Sequence, residues 1–252
     1  MNPEDNAVGA RIEKVMKQKA SSRILRFFRA ELQREGAYLL PLRLFIGIGW
    51  VRASLEKLLE APWHSGAALT KFLNTQLADG HVVFPFYRSL ITDVFAPNVL
   101  ALSWIIIAGQ LLVGAALMAG ACTNFALLCG MFMNLNFILA GRVNPSAFYM
   151  VIQTVLFIAN TGSILGLDYL ISKRIPFALV VAQPQFERKY LAIEKWSFLA
   201  LSAISAVIAI VVRPHIRDYS PSSVDDPAML ILVLAIFGGL ASLITYFRLS
   251  QK

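Results

Sequence analysis

Ionisable side chains inside an apolar run mark the place to begin, because hydrocarbon tolerates them only where they are sheltered or serve something. The run LPLRLFIGIGWVRASLEKL (Leu40–Leu58) holds Arg43, Arg52, Glu56 and Lys57. At about 100° per residue, Arg43, Gly47, Trp50, Ser54 and Lys57 share one side of a helix, and Gly49, Arg52 and Glu56 share roughly the opposite side. Arg52 and Glu56 stand one turn apart and can pair. Arg43, Arg52 and Glu56 are therefore the candidate catalytic residues of a polar pocket between helices. Position supplies the competing reading: Arg43 is near the inner end and can snorkel, while Glu56 and Lys57 are near the outer end and can be wet. Arg52 is least easily excused, so the pocket reading requires it to be sheltered from lipid.

Neutral amides recur in the later apolar stretches, at Gln110, Asn134, Asn136, Gln153 and Asn160. Gln110 and Asn136 can hydrogen-bond Arg52 or the head of a quinone, although each amide alone is equally ordinary interhelical glue. His64, His81 and His215 show no metal-ligand spacing, so no metal is expected. Cys122 and Cys129 are seven apart and form no C-x-x-C pair. With no phosphate-binding glycine loop, nucleophile elbow or paired-carboxylate motif, chemistry owned by this chain alone is disfavoured.

The elements that must carry these residues follow from composition. Of the 252 residues, 57% are hydrophobic before glycine is counted, and only 15% are charged. A soluble globular chain has roughly 45–50% apolar residues with glycine included and about 25% charged. Mean hydropathy is +0.63. This excludes a disordered, collagen-like or disulfide-stapled chain and disfavours a soluble enzyme. The class is an all-α membrane protein, because in lipid each continuous apolar run must satisfy its own backbone as a helix. Six stretches approach the length of about 20 residues that a crossing needs: 38–59, 98–119, 125–139, 148–171, 196–212 and 228–246, the third and fifth being short.

Fifteen of the 23 Lys and Arg fall in the arm 1–37, the connection 172–195 and the C-terminal tail; five fall in the alternate connections. The positive-inside rule then puts both termini in the cytoplasm of a multi-pass cell (inner) membrane protein. The net charge of +8 reads as topology and contact with anionic lipid, with no nucleic-acid role. The arm lacks the apolar core of a cleavable signal and spaces Ile12, Val15, Met16, Ile24, Phe27 and Phe28 as an amphipathic helix lying on the inner face. The connection 60–97 is long, aromatic and poor in charge. It predicts two short helices, one over 67–77 and one starting at Pro85, capping the outer end.

These stretches resemble the DoxX/DoxD family of membrane proteins. Leu40–Leu58, with Arg43, Gly47, Gly49, Lys57 and Leu58, is similar to the family's opening helix. GQLLVGAALMAG (Gly109–Gly120) is similar to its second, NLNFILAG (Asn134–Gly141) to its third, and NPSAFYMVIQTVLFIANTG (Asn144–Gly162) to its fourth. The resemblance spans roughly 39–170. The long connection holding Trp63 resembles the DoxD type, a subunit of thiosulfate:quinone oxidoreductase. It implies a four-helix transmembrane core over 38–171 with an outer interfacial loop, followed by the basic connection 172–195 and a C-terminal helical hairpin (196–252) outside that core.

The resemblance also implies a quinone-linked oxidoreductase subunit, with quinone as cofactor and a partner redox subunit, taking electrons from a small sulfur compound such as thiosulfate. In that reading Arg43 or Arg52 holds an anionic substrate or the quinone carbonyl, and Glu56 moves protons. Lys57, Gln110 and Asn136 bind and position substrate or ring. Family members often carry an acid where this chain has Gln110, which removes a proton-carrying role there. Two other functions stay open: a non-catalytic membrane scaffold or assembly partner of a larger complex, and a small-molecule or proton carrier.

Overall fold

The computed structural model describes residues 25–26, 29–34, 36–143, 145–175, 177–183, 191–216 and 226–250. The amphipathic segment expected from Ile12 to Phe28 falls almost entirely outside them. Eight helices organise the rest: α1 Leu40–Leu59, α2 Ala67–Ala78, α3 Pro85–Leu90, α4 Val99–Ala119, α5 Thr123–Leu139, α6 Ser146–Ile158, α7 Leu191–Val212 and α8 Pro227–Ser250. Single turns occupy Ala61–His64 and Asp168–Ile171, and a π-helical turn follows α3 at Ile91–Phe95. No strand occurs among the described residues.

Among the described residues, four helical stretches are long and apolar enough to cross a membrane: Ala37–Leu59, Val99–Ala119, Ala192–His215 and Pro227–Phe247. α5 and α6 are apolar but shorter, at 17 and 13 residues. The fourth stretch is therefore not one helix over 148–171. Asn160 adopts a left-handed φ of 51°, and with Gly162 and Gly166 close behind it the chain leaves the helix and runs irregularly to Asp168. The stretch expected at 196–212 is the opposite case. It begins at Leu191 and is a full 22-residue helix, because Glu194 and Lys195 lower its hydropathy without breaking it.

α1, α4, α5 and α6 run up and down as an antiparallel bundle, and α7 and α8 form a hairpin against it. Side chains at the two ends define the polarity. Arg43, at the start of α1, lies beside Gly120 at the end of α4 and bonds the carbonyl of Thr161 beyond α6. At the opposite end the Phe84 ring, just before α3, lies tilted against that of His215 beyond α7, with centres 5.0 Å apart. We call these the Arg43 end and the Lys57 end.

α1 and α4 meet through glycines: a Cβ at Gly114 would come within 2.7 Å of the Gly47 oxygen. Gly-to-Gly contact lets backbones approach where no solvent drives helices together, and Ser54 Oγ adds a 2.8 Å bond to the Ile107 carbonyl across the same crossing. α4 ends at Gly120 in a left-handed conformation, φ 61°. Ala121 N then bonds Ala116 O and Gly120 N bonds Leu117 O, the paired bonds that satisfy orphan carbonyls at a helix end.

The Arg43 end is closed by the chain itself. Asp168, fully buried, accepts from the backbone N–H of Thr123 at 3.0 Å and of Ala182 at 3.1 Å. A carboxylate at this helix start meets the free N–H groups and the positive end of the α5 dipole. Residues 177–183 of the basic connection fold inward as a plug, with Ala178, Val181, Ala182 and Gln183 buried and Phe125 N bonded to the Val180 carbonyl. Arg34 ties the end of the arm down: it bonds Glu31 at 2.8 Å and the Ser163 carbonyl at 2.9 Å. At the Lys57 end α2 and α3 cap the bundle, burying Leu69, Leu73, Phe84, Tyr87 and Ile91 against Ile138, Val212 and Ile231.

Candidate functional site

The two stripes of α1 have different fates. One turns inward: Arg43 is 1% exposed, Trp50 3% and Ser54 0%. The other turns outward. Arg52 Nε donates to Glu56 Oε1 at 2.7 Å, with the two side chains 79% and 55% exposed. Arg52 is therefore not sheltered between helices, and neither Gln110 nor Asn136 reaches it. This corrects the grouping of Arg52 with a pocket; the cleft that exists forms without it.

Arg43 is sheltered, yet it does not face a cleft. Its guanidinium bonds the carbonyls of Thr161 and Ile164, the latter at 3.0 Å, and Asp168 is its electrostatic partner. A buried backbone that leaves its helix exposes carbonyls that need a donor; Arg43 satisfies those of Thr161 and Ile164. Its Nη1 group is committed to structure, while its buried Nε has no partner. The third candidate, Glu56, does border a cleft.

That cleft opens at the Lys57 end and encloses about 360 Å³. α1 contributes Gly49, Trp50, Ala53, Glu56 and Lys57, α4 contributes Ile106 and Gln110, α5 Asn134 and Phe137, and α6 Ser146 and Tyr149; Trp63 and Arg142 stand in connecting segments. The rim is charged. Lys57 Nζ donates to the Ala53 carbonyl at 3.1 Å and sits 5.0 Å from the centre of the Trp63 ring, with Glu56, Glu60 and Arg142 as electrostatic neighbours.

The floor is polar and neutral. Gln110 and Asn134 are buried there, and Asn134 Nδ2 donates to the Oε1 of buried Gln153 at 2.9 Å. Two buried atoms of lining residues have no hydrogen-bond partner: Trp50 Nε1, which donates, and Gln110 Oε1, which accepts; Gln153 Nε2, behind Asn134 and outside the lining, is also unpaired. Buried polar groups are normally paired, so the deficit suits a small ligand offering both an acceptor and a donor. Space for it depends on glycines. A Cβ at Gly130 would collide with Gln153 Nε2, and one at Gly49 with the Tyr149 hydroxyl, while Tyr149 stands edge-on to Trp50 with ring centres 6.1 Å apart.

The structure thus brings Glu56, Lys57 and Gln110 together and leaves Arg43, Arg52 and Asn136 elsewhere. Asn136, two residues from Asn134, turns to another face of α5. Its Nδ2 bonds the Phe132 carbonyl and its Oδ1 accepts from the Tyr87 hydroxyl at 3.0 Å, which ties the cap to the bundle. Burial pushes the Tyr87 phenol above its ordinary range, so it stays a proton donor in that bond. Trp50, Asn134, Tyr149 and Arg142 line the site, and Gln153 supports Asn134 from behind, without being singled out as ligands beforehand. The signal for Asn134 and Gln153 was present, as amides inside apolar runs. Gly49 and Gly130 gave none, because their role is a contact made by a different helix.

Among the described residues no three His, Cys, Asp or Glu cluster as metal ligands, and both cysteines are free thiols. The chain matches no protein-family model, curated protein or solved structure.

Proposed function

We propose that this protein is a membrane subunit of a quinone-linked oxidoreductase of the kind the DoxX/DoxD resemblance implies, and that the cleft at the Lys57 end holds the quinone head. The single observation that carries the reading is the floor of that cleft. Trp50 Nε1 is an unpaired donor suited to a quinone carbonyl, and Gln110 Oε1 is an unpaired acceptor suited to the hydroxyl of the reduced form. Phe137, Tyr149 and Trp50 supply flat apolar walls, and Lys57 and Arg142 put positive charge where an anionic donor, a sulfur oxyanion among them, would arrive. Quinone supplies the two-electron chemistry when bound. The residues of this chain bind it, orient it and keep bulk water from its inner face.

In the same reading all six apolar helices cross the cell (inner) membrane, both termini are cytoplasmic, and the cleft opens toward the outer leaflet. The alternation of direction among α1, α4, α5, α6, α7 and α8 supports six crossings. α6 is only about 20 Å long at 1.5 Å per residue, so the irregular segment 159–167 completes the fourth. The concentration of Lys and Arg in 1–37 and 172–195 supports the orientation.

The test is a titration of purified protein in lipid nanodiscs with a short-chain quinone, followed by tryptophan fluorescence and by quinone reduction with thiosulfate and other reductants. Saturable quenching, weakened about tenfold in Gln110→Leu when the reduced quinol is the titrant, the effect of losing roughly 1.4 kcal/mol, supports the site. Unsaturable quenching identical in both proteins eliminates it. Binding without reduction of quinone by any donor points to a missing partner subunit.

A further inference from the structure

We infer that the groove between the four-helix bundle and the α7–α8 hairpin is a phospholipid site, holding one extended acyl chain with its phosphate at Lys195. The groove encloses about 260 Å³, with α5 and α6 as one wall and α7 and α8 as the other, and no charged side chain among the described residues lines it. α7 and α8 carry two of the stretches long and apolar enough to cross a membrane, so the medium at its mouth is hydrocarbon. Leu201 and Ile208 line it and are still exposed, which places that mouth on the outside of the molecule. Two adjacent glycines of α8 have separate roles here. A Cβ at Gly239 would come within 3.1 Å of Ser205, so that glycine seats α8 against α7; nothing lies within 4 Å of a Cβ at Gly238, which lines the groove and leaves it open.

Dimensions select the occupant. From Phe198 to Ile208 the groove follows α7 for about 15 Å at 1.5 Å per residue. Volume over length leaves a cross-section of roughly 17 Å², the girth of one hydrocarbon chain, whereas a helix with its side chains is about 10 Å across and does not enter. The Arg43 end of the groove supplies a place for the headgroup. Lys195 stands three residues before Phe198 and Tyr246 four after Ser242, each one turn beyond the lining on the same face. Lys195 Nζ lies 5.2 Å from the centre of the Tyr246 ring, and the Trp196 ring lies 6.3 Å from that of Tyr246. A cation between Trp and Tyr rings suits the level at which lipid phosphates lie. From Lys195 to Ile208 is about 20 Å along α7, more than half of the roughly 30 Å of hydrocarbon, so the chain that fills the groove is long. The inference stands apart from what the cleft at the Lys57 end binds.

Native mass spectrometry of the full-length protein, released from nanodiscs of dioleoyl phosphatidylglycerol and stripped with detergent, tests it. One phospholipid per chain should survive the stripping, and dilauroyl phosphatidylglycerol, with shorter chains, should be lost. Gly238→Phe fills the groove and should abolish retention, while Ile236→Phe, on the exposed side of α8, should leave it intact. Wild type should retain the phospholipid about fivefold better than dioleoylglycerol, which lacks the phosphate, and Lys195→Gln should erase that difference. A further arm needs no variant: the same phospholipid with a photoreactive group at its chain end should label the wild type around Met150 and Ile231, which line the groove toward the Lys57 end. No retained lipid, equal retention in Gly238→Phe and wild type, a phosphate preference that survives Lys195→Gln, label centred on the exposed Ile204 and Val207 of α7, or displacement of the phospholipid by an equimolar prenyl quinone would each overturn the proposal.

Discussion

Asn134 on α5 donates to Gln153 on α6 at 2.9 Å, and both side chains are buried to within 2% of complete. The bond fixes how the Asn134 amide is held at the floor of the cleft. Asn134→Leu and Gln153→Leu should each cost about 1–2 kcal/mol, the penalty of a buried polar group losing its partner. The double variant should cost less than the sum, because it strands neither amide. Reversible unfolding in mixed micelles measures the cycle; strict additivity would show that the bond does not couple the two positions.

Gly49→Ala should act on the cleft through Tyr149, whose hydroxyl occupies the space a Cβ would take. Quinone binding should weaken about tenfold, the effect of roughly 1.4 kcal/mol, with only a modest fall in melting temperature. Gly238→Ala on α8 is the control. Nothing lies within 4 Å of a Cβ there, so the variant should gain about 0.5–1 kcal/mol from helix propensity and bind as the parent does.

Arg43→Ala leaves the Thr161 and Ile164 carbonyls without a donor at a buried turn. A loss of about 3 kcal/mol or more is expected, read as low yield of monodisperse protein. Arg43→Lys should recover part of it, since an ammonium keeps the charge and lacks the planar fork. Parent-like melting of Arg43→Ala would contradict the structural role.

Asp168 gives the Arg43 end a pH dependence. Burial pushes its carboxyl above the ordinary range, and the backbone N–H groups of Thr123, Ala182 and Cys122 offset part of that rise. The folded chain therefore keeps the proton to a higher pH than the unfolded chain does, and stability falls as pH rises through the interval between the two values. Asp168→Asn keeps an acceptor oxygen and cannot ionise. From about pH 4, the ordinary carboxylate value, up to neutrality, the wild type should lose ground in melting temperature relative to Asp168→Asn. Wild type gaining on the variant over that range would reverse the assignment.

Much of this architecture was legible in the residues. Pro85 announces a helix start, and Ala67–Ala78 forms where the connection predicts its first short helix. The division of α1 into an Arg43–Lys57 stripe and an Arg52–Glu56 stripe holds, but periodicity says only that two residues lie opposite each other, never which one faces in. Hydropathy averages over Asn160, Thr161 and Gly162 and so merges a 13-residue helix with the irregular chain behind it. Asp168 and the plug at 177–183 escape notice for a related reason: their importance lies in contacts with the start of α5, more than forty residues away in sequence. Asn134 and Asn136 are indistinguishable in composition. α5 is apolar around most of its circumference, so no stripe indicates which amide it turns toward α6.

The distance in sequence between Arg43 and Thr161, 118 residues, orders events on the ribosome. The first hydrophobic segment reaches the insertion machinery carrying a guanidinium whose acceptors have not yet been translated. Until the fourth segment emerges, that cation must linger at the membrane surface or lean on temporary partners. A chain that ends before Thr161 keeps it uncompensated, so the first segment reaches its final seat only once the 161–164 turn has joined it.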